Sequence, residues 1–81
     1  MKNLGKQIVV IDNGFVHVGD CELKDGFLSI INCKNIRSWG TTQGIGELIN
    51  GPTQNTKADE CGTVFVPFGR VVFLLQVIRG W

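Results

Sequence analysis

Two short turn sequences divide the first half of the chain into apolar, β-branched stretches. Asp12-Asn13-Gly14 follows the run Ile8-Val9-Val10-Ile11, and Asp25-Gly26 comes directly before Phe27. Asn-Gly and Asp-Gly pairs between apolar runs are the strongest short-range hairpin signals, because the central residues of the tightest hairpin turns adopt positive φ. The sequence therefore predicts antiparallel hairpins. The predicted strands cover residues 7–11, 15–24 and 27–33, with an extension over 35–39 and a possible bulge at Gly19.

Two more strands are predicted near the end of the chain. Residues 63–66 form a short apolar run that Pro67 interrupts, and the segment Asp59-Glu60-Cys61-Gly62 before it is typical of a turn. Residues 70–78 are apolar on both strand faces. Such a strand is normally covered on both sides. We expect the second cover to be the insertion described next or another copy of the chain.

The segment at about residues 40–57 breaks the β pattern, because it is rich in glycine, threonine and amide side chains. Within it, Ile45, Leu48 and Ile49 follow the i, i+3, i+4 spacing of one helical face. The spacing predicts one or two helical turns, with Thr41 or Thr42 as the N-cap.

Together these patterns predict a mainly β fold: a small five-stranded open barrel of the SH3-like or Sm-like type, with a short helical insertion before strand 4. The edge of a sandwich or a simple meander is the alternative. A chain of 81 residues allows a single domain. We assign it to residues 7–81, after a flexible lead-in over residues 1–6. A domain this small buries only about 60% of its unfolded surface, which favours a homo-oligomer.

Charge and hydropathy exclude several classes of protein. Eight Lys and Arg against seven Asp and Glu give a net charge of +1, so nucleic acid is not an expected partner. The longest apolar run, residues 71–75, is far below the roughly 18 residues of a membrane span. No hydrophobic signal segment follows Met1, which predicts a cytoplasmic protein.

The cysteines and the single histidine predict neither disulfides nor a metal site. Three cysteines, Cys21, Cys33 and Cys61, cannot all pair, and none is spaced as C-x-x-C. With one histidine, His17, the sequence shows no common zinc-ligand spacing, so we expect no metal and no cofactor. His17 is interpreted as structural, and Cys33 and Cys61 as small core residues. No serine shows a linked histidine and acid, so we expect no catalytic residue and no enzyme.

One stretch has the chemistry of a ligand site. Between Ile36 and Thr56 the chain combines a guanidinium, an indole, several hydroxyls and glycine-freed amides. Trp39 is suited to stack a base, and Arg37 to bind a phosphate with its planar fork. The hydroxyls, with amides at the helix start, are suited to hold an anion. The predicted ligand-binding residues are Arg37, Trp39, Thr41, Thr42, Thr53, Asn55 and Thr56. In the alternative interpretation, Trp39 plugs one barrel mouth and the threonines are cap and turn residues.

Several stretches resemble small uncharacterised proteins from phage and prophage genomes. They are Val16-His17-Val18-Gly19, residues 35–42 with Gly46-Glu47-Leu48, Gly51-Pro52-Thr53 with Asn55-Thr56, and Gly62-Thr63-Val64. In size and in its lack of catalytic groups, the chain is similar to phage anti-defence proteins. Those are non-enzymatic homo-oligomers that sequester nucleotide immune signals, such as cyclic oligonucleotides or ADP-ribose derivatives. The resemblance implies a sequestering protein in the cytosol of the host cell.

Two other functions remain open from the sequence. The apolar strand over residues 70–78, with Trp81, is suited to a protein-interaction module or a structural homo-oligomer. An Sm-like binder of single-stranded RNA agrees with the predicted barrel, although the near-neutral charge and the absence of tyrosine argue against it.

Overall fold

The computed structural model describes all 81 residues, which form five strands and two short 3-10 helices, η1 and η2. The strands are β1 (Lys2–Ile11), β2 (Val16–Lys24), β3 (Phe27–Ser38), β4 (Lys57–Pro67) and β5 (Val71–Gln76); η1 covers Ile45–Asn50 and η2 covers Phe68–Arg70. The strands form one antiparallel sheet in the order β4-β3-β2-β1-β5. β4 and β5 lie at its two edges and do not pair with each other. The predicted five-stranded open barrel, with a helical turn before the fourth strand, is confirmed.

The two predicted hairpin turns form in different ways. Asp25 and Gly26 both have positive φ, 52° and 81°, as a two-residue turn of this type requires. In the first turn only Gly14 has positive φ, 88°. Its N–H donates to the carbonyl of Ile11 at 2.9 Å, and the side-chain oxygen of Asn13 accepts from the N–H of Phe15. This turn is therefore a longer one closed by a left-handed glycine, rather than one with two central residues at positive φ.

The pairing of β2 with β3 is irregular opposite Gly19. The register shifts between Val18 and Asp20, as the sequence predicted, but the extra residue lies on β3 rather than on β2. A Cβ on Gly19 would lie 2.7 Å from the carbonyl oxygen of Ile31, so a larger residue cannot enter without a backbone shift. Because the extra residue reverses the side-chain alternation of β3, Ile30 and Cys33 pack into the same hydrophobic cluster although they are three residues apart.

The two clusters form separate cores. The first core consists of Val9, Ile11, Cys21, Leu28, Ile30, Cys33 and Val66. The second core consists of Ile8, Val16, Val18, Ile36 and Leu48. Ile45 and Ile49 of η1, together with Trp81, pack against the second core, as does Leu75 of β5, so the insertion lies over this core. The indole N–H of Trp81 donates to the carbonyl of Leu48 at 2.7 Å, which fixes the end of the chain on η1.

The structure differs from the sequence prediction at four element boundaries. Residues 2–6 are not a loose lead-in: they extend β1 and pair with β2 opposite residues 20–23. The predicted turn at Asp59–Gly62 lies inside β4, where pairing with β3 overrides the local turn preference. Gly44, not a threonine, is the N-cap of η1. β5 ends at Gln76 because the following residues turn to bond with η1.

Candidate functional site

Six of the seven predicted ligand residues, all except Arg37, lie on two adjoining segments, residues 39–43 and 53–56, which together we call the Trp39 loop. The hydroxyl of Thr56 donates to the carbonyl of Trp39 at 2.7 Å, and the hydroxyl of Thr53 donates to that of Gly40 at 2.7 Å. The Thr56 hydroxyl also accepts from the N–H of Thr53 at 2.8 Å. Thr53 and Thr56 therefore join the two segments, and their hydroxyls are used within the protein.

Gly40 allows the two segments to approach closely. It has a φ of 64°, which favours glycine, and a Cβ at this position would lie 2.3 Å from the backbone of Asn55. The crossing therefore fixes the position of Trp39, the residue immediately before it.

The hydroxyl and backbone N–H of Thr42 are bound to a carboxylate of the chain itself. Glu47 accepts from the N–H of Thr42 at 3.2 Å, from its hydroxyl at 3.4 Å and from the N–H of Gln43 at 3.1 Å. The anion site that the sequence suggested at the start of the helix is thus occupied by Glu47, which holds the segment before η1. No side chain caps the first N–H groups of η1 itself.

Arg37 lies at the end of β3, two residues before Trp39, and forms an exposed ion pair. Its Nε lies 2.9 Å from a carboxylate oxygen of Asp59 on β4, and both side chains are more than half exposed. The Asp59 carboxylate raises the pKa of Arg37. The guanidinium donates to both carboxylate oxygens, at 2.9 Å and 3.4 Å, so an anionic ligand would have to replace Asp59 at this exposed position.

Three of the predicted residues keep side chains without hydrogen-bond partners. Trp39 is 41% exposed, so it is not buried as a barrel plug would be. The side chains of Thr41 and Asn55 make no hydrogen bond, although the N–H of Asn55 donates to Thr53. Arg37, Trp39, Thr41 and Asn55 are therefore available to a ligand, whereas Thr42, Thr53 and Thr56 support the loop. As ligand contacts, all seven remain a prediction.

The surface cavities lie away from this loop. One, of about 180 Å³, is lined by Lys6, Val18, Gly19, Asn32, Lys34 and Trp81. The other, of about 270 Å³, is lined by Asn32, Cys33, Lys34, Glu60 and Gly62. The Nζ of Lys6 donates to the main-chain oxygen of Trp81 at 2.8 Å, while Lys34 forms no ion pair. In a single chain, the Trp39 loop is thus an open surface rather than a pocket.

The structure also brings together residues that the sequence did not connect. His17 on β2, Cys33 on β3 and Cys61 on β4 place their ligand atoms within 4.8 Å of one another. His17 and Cys33 are buried, whereas Cys61 is exposed and is not the core residue that we expected. Their spacings of 16 and 28 residues match no sequence motif. Only the pairing of three neighbouring strands makes them adjacent.

Burial changes the titration of this cluster. It lowers the pKa of His17, so the imidazole is neutral at pH 7. Burial, and secondarily the neighbouring Cys61 thiol, raise the pKa of Cys33 strongly. The Nδ1 of His17 lies 3.6 Å from the sulfur of Cys33, and the Cys61 thiol donates to the carbonyl of Cys33 at 3.4 Å. Without a bound ion, His17 and Cys33 are therefore neutral neighbours.

Comparisons with known proteins name no relative. No protein-family model matches the chain, and no curated protein is significantly similar to it. Among the helical segments, none has the length and apolar character needed to cross a membrane.

Proposed function

We propose that this chain is a non-enzymatic binding protein that captures a small, anionic, nucleotide-like ligand at the Trp39 loop. The observation that carries the proposal is the exposed indole of Trp39 on a loop fixed by the hydroxyls of Thr53 and Thr56. A large aromatic side chain held in place but left exposed loses little conformational entropy when a flat ring stacks on it.

Arg37 supplies the charge for the same ligand. Arg37 lies at the end of β3 and Trp39 follows two residues later, so the guanidinium and the indole are close to each other along the chain. The present partner of Arg37, Asp59, is exposed, and the ligand would replace it. Stacking by Trp39 and a bidentate phosphate contact by Arg37 would recognise a base and a phosphate together.

A second copy of the chain would complete the site. Small ligands are held where most of their surface is buried. The Trp39 loop in one chain is open, so a tight complex needs a further wall, and a subunit boundary would provide it. The resemblance to phage anti-defence proteins supplies the biological setting of the proposal: sequestration, without turnover, of a nucleotide immune signal in the host cytosol.

The proposal is tested by capture and release. Purified protein is mixed with cyclic dinucleotides, cyclic trinucleotides and ADP-ribose derivatives, filtered free of unbound compound and denatured by heat. Chromatography of the released material should recover one intact compound. Recovery of a cleaved product would instead mean an enzyme, and recovery of nothing would contradict capture.

Substitution of Trp39 locates the ligand. Trp39→Ala should weaken binding about tenfold or more, since stacking on an aromatic side chain is worth about 1–3 kcal/mol per base. Its urea midpoint should match the wild type, because the indole is exposed. Lys34→Ala is the matched control, because Lys34 lines both cavities and is absent from the loop. If binding is lost in the Lys34 variant and kept in the Trp39 variant, the ligand lies in a cavity and not at this loop.

A second candidate function, self-association through the sheet edges, is favoured by the exposed apolar side chains there. Val72 on β5 is 59% exposed and Phe65 on β4 is 67% exposed. Both strands have a free edge, and an unpaired apolar edge is a template for another strand. Because β4 and β5 are opposite edges of one sheet, β4 of one copy can pair with β5 of the next. We propose a second copy of this chain as the partner, in a head-to-tail arrangement.

A charge placed on β5 tests this assembly. Val72→Lys should convert the oligomer to a monomer, because edge lysines prevent strand pairing. The mass in solution is measured by light scattering after size exclusion. Ile78→Lys is the control, because Ile78 is also 59% exposed but lies beyond the end of β5. A monomeric wild type, or equal dispersal by both variants, would contradict pairing through β5.

A further inference from the structure

We propose that His17, Cys33 and Cys61 form a three-ligand site for Zn²⁺, with a fourth position open to an external ligand. One imidazole and two thiols are donors that Zn²⁺ prefers, and three protein ligands with an open position are an established arrangement for this ion. The site does not depend on the Trp39 loop, which lies on other segments of the chain.

The separations of the ligand atoms agree with this ion. Zinc–ligand lengths of about 2.0–2.3 Å in a tetrahedron place neighbouring ligand atoms roughly 3.5–3.8 Å apart. The Nδ1 of His17 and the sulfur of Cys33 are already 3.6 Å apart. All three ligand atoms lie within 4.8 Å, so a shift of about 1 Å, within reach of a side-chain rotation of exposed Cys61, would complete the set.

The backbone around the cluster holds these ligands in place. The pairing of β2 with β3 shifts register after Val18, and that of β3 with β4 shifts on both sides of Cys33. Bulges often lie next to functional sites, where they redirect a side chain. Here they bring one side chain from each of three neighbouring strands to the same place.

The cluster is accessible to an ion from solvent and has space beside it for a fourth ligand. Cys61 is exposed, which gives an ion a route to the two buried ligands. Cys33 also lines the cavity of about 270 Å³, which leaves space beside the cluster for a water molecule or a small ligand in the fourth position. Neutral His17 offers its lone pair directly, whereas both thiols must release a proton when the ion binds.

Cobalt provides the direct test, because tetrahedral Co²⁺ reports thiolate ligands in its absorption spectrum. The reduced full-length chain is titrated anaerobically with Co²⁺ and then with Zn²⁺. We expect a thiolate-to-cobalt charge-transfer band that saturates at one ion per chain and disappears when Zn²⁺ displaces Co²⁺. Absence of the band in the wild-type protein would overturn the proposal.

Single substitutions assign the ligands. Cys61→Ser should weaken Co²⁺ binding about a hundredfold or more, since even outer-shell changes cost about 10–100-fold. Cys61 is exposed, so the variant should fold, and circular dichroism checks this. Cys21→Ala is the control, because Cys21 is a buried cysteine outside the cluster. An unchanged spectrum in the Cys61 variant would overturn the assignment, as would equal loss in the control.

Two further measurements test the metal site without a ligand substitution and separate it from the Trp39 loop. Zn²⁺ should shield the exposed Cys61 from iodoacetamide, and mass spectrometry reads the modification without any substitution. Full alkylation of Cys61 in excess Zn²⁺ would count against the site. Trp39→Ala should keep the full cobalt spectrum, so that a failure of nucleotide binding and a failure of metal binding can be told apart.

Discussion

The hydroxyls of Thr53 and Thr56 are used by the fold itself. Each donates to a main-chain carbonyl at 2.7 Å, and together they hold Trp39 and Gly40 against residues 53–56. A sequence shows only that hydroxyls are close to an indole. Whether they face a ligand or the backbone depends on how the two segments cross, which is decided by contacts across the loop.

The buried thiol of Cys21 makes stability depend on pH at the alkaline end. Burial is the main reason that its pKa is raised, from 9.0 to about 11. As pH rises, the unfolded chain therefore loses this proton before the folded protein does. The stabilisation is fully present below pH 9, and the free energy of unfolding decreases between about pH 9 and pH 11.

Urea denaturation of the metal-free protein at a series of pH values measures this loss. Cys21→Ala should show a shallower decline than the wild type over the same range, because Cys33 alone then remains as a buried thiol. Equal slopes for the two proteins would show that Cys21 is not the group responsible.

At the scale of elements, Glu47 ties the segment before η1 back to the helix. The Glu47 carboxylate accepts from two backbone N–H groups and one hydroxyl at residues 42 and 43. Glu47→Ala leaves these donors without a protein acceptor and should lower the free energy of unfolding by about 1 kcal/mol, the typical net value of an intramolecular hydrogen bond. The shift in urea midpoint measures it. Glu47→Gln keeps one acceptor oxygen and should lose less; equal losses would contradict this role of the carboxylate.

Elements were predictable where local chemistry decides them. The Asp25-Gly26 turn and the irregular position at Gly19 follow from residues close in sequence, although the extra residue opposite Gly19 lies on β3. The start of β4 was not predictable, since Asp59–Gly62 has the composition of a turn and is extended only by pairing with β3. The cluster of His17, Cys33 and Cys61 was missed for the same reason: it depends on the register of three strands, which no local pattern encodes.

For the whole molecule, the sheet carries a core on each face and a free edge on each side. The insertion that contains η1 and the end of the chain at Trp81 cover the second core, and a hydrogen bond joins Trp81 to Leu48 there. Phe65 on β4 and Val72 on β5 remain exposed at the two edges.

The two tryptophans allow the central claim to be measured in one experiment. In a proton–nitrogen correlation spectrum each tryptophan gives one indole N–H signal. The indole N–H of Trp81 donates to the carbonyl of Leu48, whereas the indole N–H of Trp39 has no hydrogen-bond partner in the protein. Titration with ADP-ribose and with cyclic di-AMP should move the Trp39 signal with at least one of them and leave the Trp81 signal in place. Movement of the Trp81 signal alone, or of neither, would contradict binding at the Trp39 loop.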